Sequence, residues 1–380
     1  MITATPENFD LIVVGAGPAG SAASLGALRA RPTARVLVLD RAPLGRDKTC
    51  GDGIGPEAVV ELASLGLTDI LRPEERVVRF RLVAPSGADI SGHAPQPGYV
   101  VPRADFDHRL MTAAIGAGAT FHQHAVHEIR QVGSGVVVDG KFSAPVLIGA
   151  DGANSIVRRV IGQPPNRGRH LAVAVRGYAA APEGFDELYI RWDPVPGDGL
   201  GYAWAFPTVG STANVGYGTA GDGVSKARLV QRATELLPDF AINSTRMTGH
   251  LLPLSTRMPR LAVGRILLAG DAASQISPLT GEGIFYALAS GALAGGAAVG
   301  ATGTDAGDAY SRALRARFGR HYRQLRALYP LLDRPRAIEA TVRACERNER
   351  LFQRVLDVGL GDGTLSIADV ARFALAAVRH

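Results

Sequence analysis

Glycine-rich turns followed by single carboxylates are the first residues in this chain whose types and spacing could do chemistry. Gly15-Ala16-Gly17-Pro18-Ala19-Gly20 follows the apolar, β-branched run Asp10–Val14 and precedes an Ala-rich stretch to Ala30. The first run reads as a buried parallel strand and the second as a helix. Glycines at this spacing allow a tight turn, close approach of the backbone to a pyrophosphate and close helix–strand packing. The helix N-terminus adds unpaired N–H groups and a positive dipole end. Asp40 closes the next strand, Arg35–Asp40, and Arg41 follows it as a further candidate contact to the nucleotide. A carboxylate there accepts hydrogen bonds from ribose hydroxyls and repels a 2′-phosphate, so FAD or NAD fits and a resident NADP does not.

A second site along the chain separates FAD from NAD. The apolar strand Arg265–Ala269 ends in Gly270-Asp271, and Pro278-Leu279-Thr280-Gly281-Glu282-Gly283 opens a long glycine-rich helix. An Asp at a strand end can bind a polyol hydroxyl such as one on a ribityl chain. A helix N-terminus beyond it places positive potential beside the pyrimidine edge of a flavin. Only FAD is long enough to reach both turns. No second strand–GxGxxG–helix unit is present, so NAD(P)H or another reductant would dock transiently.

These motifs need elements to hold them. Helices are expected at Pro56–Leu65 and Asp105–Ala117, and strands at Val77–Ala84, Ala119–Phe121, Val126–Arg130, Gly135–Val138 and Val146–Ala150. Short β-branched runs at Ala172–Val175, Leu188–Trp192, Tyr202–Phe206 and Asn214–Gly218, punctuated by Gly and Pro, predict an antiparallel sheet. From Asp305 the pattern is helical, with breaks expected at Pro330–Pro335 and Gly359–Gly363. The resulting α/β architecture is an FAD-binding Rossmann-like domain (1–76, 101–167 and 260–304) with an inserted antiparallel β-sheet substrate domain (77–100 and 168–259). A C-terminal helical region spans 305–380.

Composition removes other classes. At 380 residues, with 46% hydrophobic and 20% charged residues, the chain is neither disordered nor fibrous. Two cysteines, Cys50 and Cys345, build no disulfide framework and suit a reduced cytoplasmic setting. The formal charge of +6 comes almost wholly from arginine, with three lysines among 41 basic residues. No aromatic and basic interleaving makes a base-stacking platform, so nucleic acid is not a partner. The uncharged run Gly283–Thr304 has the length of a membrane span, but its glycines suit a helix packed closely inside the fold. His122, His124 and His127 lack the further convergent ligands of a metal site, and no metal is expected. Arg312, Arg315, Arg320, Arg323 and Arg326 read as a solvated helix face, with attraction to anionic lipid as the second reading.

Beyond the separate motifs, Gly15–Gly20, Gly149-Ala150-Asp151-Gly152 and Leu268–Asp271 resemble the three flavin motifs of the para-hydroxybenzoate-hydroxylase-like fold. Within it, Lys48-Thr49-Cys50-Gly51-Asp52-Gly53, Tyr202-Ala203-Trp204-Ala205-Phe206-Pro207 and Pro278–Gly283 look like the geranylgeranyl reductase family. The tail segment 354–363 is similar to its bacterial menaquinone-chain reductases. The resemblance implies Asp40 on the adenosine ribose, Arg103 near the diphosphate, the Val126 backbone on the adenine and Asp271 on the ribityl chain. It implies Asp151 near the pyrophosphate, Cys50, Gly51 and Asp52 beside the isoalloxazine, and Tyr202, Trp204 and Phe206 lining the cavity of an apolar isoprenoid substrate. Asp52 departs from the family pattern, where many archaeal members carry glycine, and would put an acid beside the flavin.

A prenyl double bond accepts hydride only if a proton reaches its other carbon, and the positive charge that develops can be stabilised by the faces of Tyr202 and Trp204. Cys50, Asp52, Tyr202 and a bound water are all candidates for the acid. Cys50 also reads as small packing beside a ring, and Trp204 and Phe206 as core on one strand face. The reading is an FAD-dependent reductase of polyprenyl double bonds in a prenyl diphosphate, a lipid or a quinone tail, soluble but able to touch a bilayer. Its rivals are a flavin monooxygenase acting on an apolar metabolite and a non-catalytic prenyl-binding protein.

Overall fold

A computed structural model describes residues 5–195, 199–300, 305–332, 334–346 and 348–378. The chain starts with β1 (Glu7–Asn8), β2 (Leu11–Val14), α1 (Pro18–Ala30) and β3 (Val36–Asp40). It continues through β4 (Gly53–Ile54), α2 (Pro56–Ser64), β5 (Arg76–Val83), β6 (Asp89–Val100) and α3 (Arg103–Gly116). Next come β7 (Thr120–Gln123), β8 (Ile129–Val132), β9 (Gly135–Val138), β10 (Phe142–Ala144), β11 (Leu147–Gly149) and α4 (Ile156–Val160). The long strands β12 (Leu171–Ala180), β13 (Glu187–Val195), β14 (Gly199–Pro207) and β15 (Thr212–Ala220) precede α5 (Lys226–Leu236) and β16 (Thr248–Pro253). After β17 (Ala262–Val263) and β18 (Ile266–Leu268) the chain is helical. The helices are α6 (Ile284–Gly300), α7 (Asp305–Leu332), α8 (Pro335–Glu346), α9 (Glu349–Leu360) and α10 (Ile367–Val378).

Three sheets organise these elements. The six-stranded sheet has the order β17-β18-β11-β2-β3-β7 and is parallel except at its β17 edge. Its central strands are unbroken apolar runs such as Leu11-Ile-Val-Val14 because both faces are covered. A four-stranded sheet, β1-β10-β9-β8, flanks it, and an eight-stranded sheet runs β16-β12-β15-β14-β13-β5-β6-β4. The eight-stranded sheet is antiparallel except where β13 meets β5. On β14, Ala203 and Ala205 face the core under α5, which turns Tyr202, Trp204 and Phe206 to the opposite face.

Several expected elements shift. The strand expected at Val126–Arg130 begins only at Ile129, because Asp139 accepts the backbone N–H groups of His127 and Glu128 and holds that segment as a loop. The same carboxylate takes His124 Nε2 at 2.7 Å, while His122 and His124 pack edge-on against Phe142. The twelve-residue β6 carries two prolines and three glycine or serine residues, and no strand is expected over it from the sequence, although the segment is placed in the β-sheet domain. Its register against β5 slips between Val77 and Arg79, and Pro95 and Pro97 fall in that irregular stretch, where no ladder N–H is required. Pro330 does not begin a break: α7 runs through it to Leu332, and the chain resumes helix at Pro335. Residue 333 of the expected break, and residues 301–304 of the uncharged run, lie outside the described residues.

The glycines of α6 are explained by its neighbour. A Cβ on Gly291 would lie 2.2 Å from the Ala19 carbonyl oxygen, and one on Gly295 would lie 1.8 Å from that of Ala23. From the other side, a Cβ on Gly26 would lie 2.4 Å from the Ala292 carbonyl oxygen. The two helices therefore meet backbone to backbone, and the paired positions rise together along both. Their N-termini consequently lie toward the same end. Among the described residues no helix is long and apolar enough to cross a membrane. On α7, Tyr310, Leu314, Phe318, Tyr322 and Leu325 are buried, and Arg312, Arg315, Arg320, Arg323 and Arg326 are exposed on the other side.

This packing makes a paired prediction. Gly295→Val should destabilise the protein by about 3 kcal/mol or more, as overpacking against backbone does. Gly296→Ala, whose Cβ would meet nothing nearer than 3.9 Å, should be neutral or stabilise by up to about 1 kcal/mol through helix propensity. Thermal unfolding of the two variants measures the difference.

Candidate active site

The N-terminal turn of α1 is built by two glycines and left open by a third. Gly15 has φ +107°, and a Cβ there would lie 2.3 Å from the Ala150 carbonyl oxygen. A Cβ on Gly20 would lie 1.8 Å from the Gly15 carbonyl oxygen. These two are required by the protein's own packing. Gly17 is different: its φ is −82° and its Cβ would meet only Arg46, Asp107 and Arg103 atoms at 3.7 to 3.9 Å. Nothing in the chain demands glycine there, and its bare backbone leaves the space across the turn open. No side chain caps α1, so its first N–H groups are available to such a ligand.

Around that turn, Asp40 sits at the end of β3 and accepts the Ala16 N–H at 2.8 Å and the Ala42 N–H at 2.9 Å. Arg41 beside it is exposed. Arg103 opens α3, is buried, and is held by Asp107 through two bonds of 2.7 Å. Val126 is partly buried in the loop after β7. Asp151 turns both carboxylate oxygens into α4, accepting from the Ser155 hydroxyl and the Ile156 and Val157 N–H groups. Burial raises its pKa against those bonds. Asp151 therefore satisfies the first two N–H groups of α4 and holds its N-cap, Ser155, whose hydroxyl oxygen in turn accepts the Arg158 N–H.

The turn opens into a cavity of about 380 Å³. At one end lie Pro18, Arg103, Lys48, Asp271 and His250. Lys48 Nζ bonds Asp271 at 2.9 Å, and although burial opposes it, this ammonium keeps the Asp271 carboxyl below its ordinary pKa. His250 is pushed down to about 4, first by burial and then by Lys48, so it is neutral, and its Nε2 has no partner. Pro278, Gly281 and Gly283 form one wall, where Gly281 has φ +73°. The other end is walled by apolar side chains of the eight-stranded sheet and α9, including Phe80, Leu188, Ile190, Leu356 and Leu360.

Between the two ends stands the aromatic strip of β14. Tyr202 donates to the Thr280 carbonyl, and its ring lies 5.3 Å from that of Trp192 and 5.8 Å from that of Trp204. Cβ atoms built on Gly51 and Gly53 would lie 3.3 and 3.4 Å from the Phe206 ring, so these glycines let the loop settle against the strip. Every residue from Lys48 to Ile54 lines the cavity except Asp52.

Asp52 corrects an expectation. The acid expected beside the flavin points behind the loop, is fully buried and has φ +61°. Its Oδ2 accepts from the Tyr178 hydroxyl and from Asn214 Nδ2 at 2.7 Å, while its Oδ1 is buried without a partner. Asn214 also donates to the Cys50 carbonyl at 2.9 Å and accepts from Trp204 Nε1 at 2.9 Å. Arg176, paired with Asp47 at 2.7 Å, donates to the Cys50 and Lys48 carbonyls and stacks on Tyr178. Burial raises Asp52 to about 6 despite the Tyr178 bond. The Cys50 thiol is likewise pushed up by burial, tempered by Arg103.

Comparison with known proteins identifies the arrangement. Residues 8–196 match the model of an FAD binding domain. Menaquinone reductase of Mycolicibacterium smegmatis is 33% identical over 367 residues, 90% of this chain and 89% of that protein. Digeranylgeranylglycerophospholipid reductase 1 of Methanopyrus kandleri is 33% identical over 316 residues, 77% and 80% of the two chains. The chain belongs to the geranylgeranyl reductase family of FAD-dependent oxidoreductases. A geranylgeranyl bacteriochlorophyll reductase-like protein from Thermoplasma acidophilum shares the fold, with TM-score 0.77 at 20% identity over 97% of this chain and 96% of that one. So does HpxO of Klebsiella pneumoniae with FAD bound, with TM-score 0.66 at 20% identity over 94% of this chain and 100% of that one.

Within this family member, sequence reasoning passed over Arg46, Lys48, Arg176, Tyr178, Asn214, His250 and Glu282 as site residues. Lys48 and Glu282 stand inside motifs that were legible. Asn214, a buried amide, and Arg176, a buried guanidinium, lie on strands read as apolar, and only the sheet pairing brings them under the loop. Among the described residues no three His, Cys, Asp or Glu side chains converge as metal ligands.

Two measurements follow. Gly17→Ala should leave the unfolding midpoint unchanged but weaken FAD binding tenfold or more, about 1.4 kcal/mol, as read by flavin titration of the apoprotein. The raised Asp52 pKa means that the folded state holds its proton more tightly than the unfolded chain, so stability is fully present below about pH 4 and lost as pH rises toward 6. Relative to Asp52→Asn, the wild type should lose about 3 kcal/mol across that window, measured by urea unfolding at stepped pH.

Proposed function

We propose that this oxidoreductase saturates carbon–carbon double bonds in a polyprenyl chain, with a menaquinone-type tail as the first substrate class and prenyl lipids as the second. The observation that carries the reading is the continuity of the cofactor end of the cavity with an apolar chamber between the eight-stranded sheet and α9. Two relatives named menaquinone reductase match 88–90% of the chain, and the archaeal lipid reductases up to 82%, which supports the order of the two classes.

FAD would be held by the Gly15–Gly20 turn, Asp40, Arg103 and Asp271, with Cys50, Gly51 and the segment Pro278–Gly283 beside its ring. When bound and reduced, the flavin supplies the hydride. The chain's own residues do the rest. The apolar walls exclude water and align an extended tail, which gives orientation and low dielectric together. Tyr202 is fixed by Thr280 and Trp204 by Asn214, so their faces are held in place for a carbon on which positive charge develops. A desolvated cation–π contact of this kind is worth ~2 kcal/mol. Electrons come from NAD(P)H or another reductant that docks transiently. The exposed arginines of α7 support contact with an anionic bilayer from which a tail is drawn.

Anaerobic incubation of the reduced holoenzyme with a menaquinone carrying an unsaturated tail tests the proposal. The product should gain two hydrogens per reacting bond by mass spectrometry. Gain of an oxygen atom in air, with no saturation under anaerobic conditions, would sink it in favour of oxygenase chemistry.

A further inference from the structure

The three side chains considered from sequence as the acid are each withdrawn or weakened by the structure. Asp52 does not reach the cavity wall. The Tyr202 proton is committed to the Thr280 carbonyl, and burial raises its pKa above the usual phenol value. Cys50 lines the wall, but burial makes its thiol a poorer acid than usual. Among the described residues four carboxyl groups line the cavity. Asp271 is ionised against Lys48, while Glu57 on α2 and Asp357 on α9 stand at the end walled by those helices. The fourth, Glu282, stands between the aromatic strip and the start of α6.

We propose that Glu282 is the proton donor to the prenyl double bond, a reading that rests on the reductase function proposed above. Its Oε1 accepts the Phe285 N–H at 2.7 Å, which anchors the carboxyl at the N-terminus of α6, and no ion pair among the described residues engages it. Its own N–H is held by Thr280 Oγ1 and its carbonyl by the Ser277 N–H, so the backbone that carries it is fixed at both ends. The charged and titratable groups that face it are Arg103 from α3, Tyr202 from β14 and Tyr286 from α6. Cys50, His250 and the Lys48–Asp271 pair line the same cavity. Burial lifts the carboxyl to about 7, against the α6 N–H groups and Arg103, so much of it is the neutral acid at physiological pH. This matches the condition for an efficient general acid.

The step balances. The π pair of the double bond takes the proton from Glu282 to form one C–H bond, leaving the other carbon cationic beside Tyr202 and Trp204. That carbon accepts a hydride from the reduced flavin, so the bond is reduced by two electrons and the cofactor is oxidised by two. The carboxylate left behind recovers its proton from solvent.

Glu282→Gln keeps the oxygen that accepts from Phe285 and removes the acid. Single-turnover mixing of the anaerobically reduced holoenzyme with a menaquinone bearing an unsaturated tail reads the step. The variant should bind FAD within about threefold of wild type and saturate the tail roughly 100-fold or more slowly. The wild-type rate should fall as pH rises through about 7, and the variant should lack that limb. Glu282→Asp, which retains an acid, should keep the limb, and this decides the matter if the Gln variant does not fold. Equal rates in wild type and Glu282→Gln, loss of FAD by a folded Gln variant, or an Asp variant without the limb would each overturn the assignment. A wild-type enzyme that saturates no tail would instead overturn the reductase reading itself.

Discussion

The backbone contact between α1 and α6 is the constraint on which the rest of the structure depends. Ala19, Ala23 and Ala292 present carbonyls to the space where Gly291, Gly295 and Gly26 have no side chain. Two helices at that distance cannot be exchanged for a looser pair without moving what each carries. At the N-terminus of α1 is the open turn at Gly17, and at the N-terminus of α6 is the segment Pro278–Gly283. Parallel packing sets the two positive helix ends toward the same side of the domain, where an anionic or electron-rich ligand would meet both. This is why a run of small residues that resembles a membrane span in length is instead the centre of a cofactor domain.

A second constraint works from the sheet side. The loop 48–54 has almost no regular structure of its own, yet it must hold Cys50 and Gly51 at the cavity wall. Arg176 and Asn214 do this by donating to its carbonyls, and Asp52 accepts further bonds from Asn214 and Tyr178. Buried ionisable groups contribute little net stability, because desolvation offsets their attraction. Their effect here is one of position: strands β12 and β15 are keyed to the loop, and Trp204 is keyed to the same amide. A positive φ at Asp52 is tolerated because its carboxylate finds two donors in that conformation.

The cavity joins these two halves. Its charged end is made by residues from the nucleotide side, and its apolar end by the sheet and the last helices. Thr280 links the two, accepting Tyr202 at its carbonyl and donating its hydroxyl to the Gly359 carbonyl at 2.6 Å. Tyr286 and His321 fasten the same C-terminal turn at Gly361 and Gly363. The helix that closes the apolar end is thus tied directly to the segment Pro278–Gly283 at the start of α6. The fold alone is shared with a flavin-dependent halogenase and with the HpxO structure that also holds uric acid, so the frame by itself does not fix the chemistry.

What the amino-acid sequence determined by itself was local. Gly15–Gly20 between an apolar run and an Ala-rich helix, Asp40 after the next strand, Gly270-Asp271 and the alternation through Tyr202, Trp204 and Phe206 each act over a few residues. Their spacing carries their meaning. The 12-residue β6 was not legible, because its prolines are tolerated only by a bulge against a partner strand. Nor was the direction of Asp52, which depends on donors more than 120 residues away. Glu282 stood in plain view inside a recognised motif, but an acid near neutrality is made by burial and by the walls around it. Those walls come from distant parts of the chain, and only the tertiary structure assembles them.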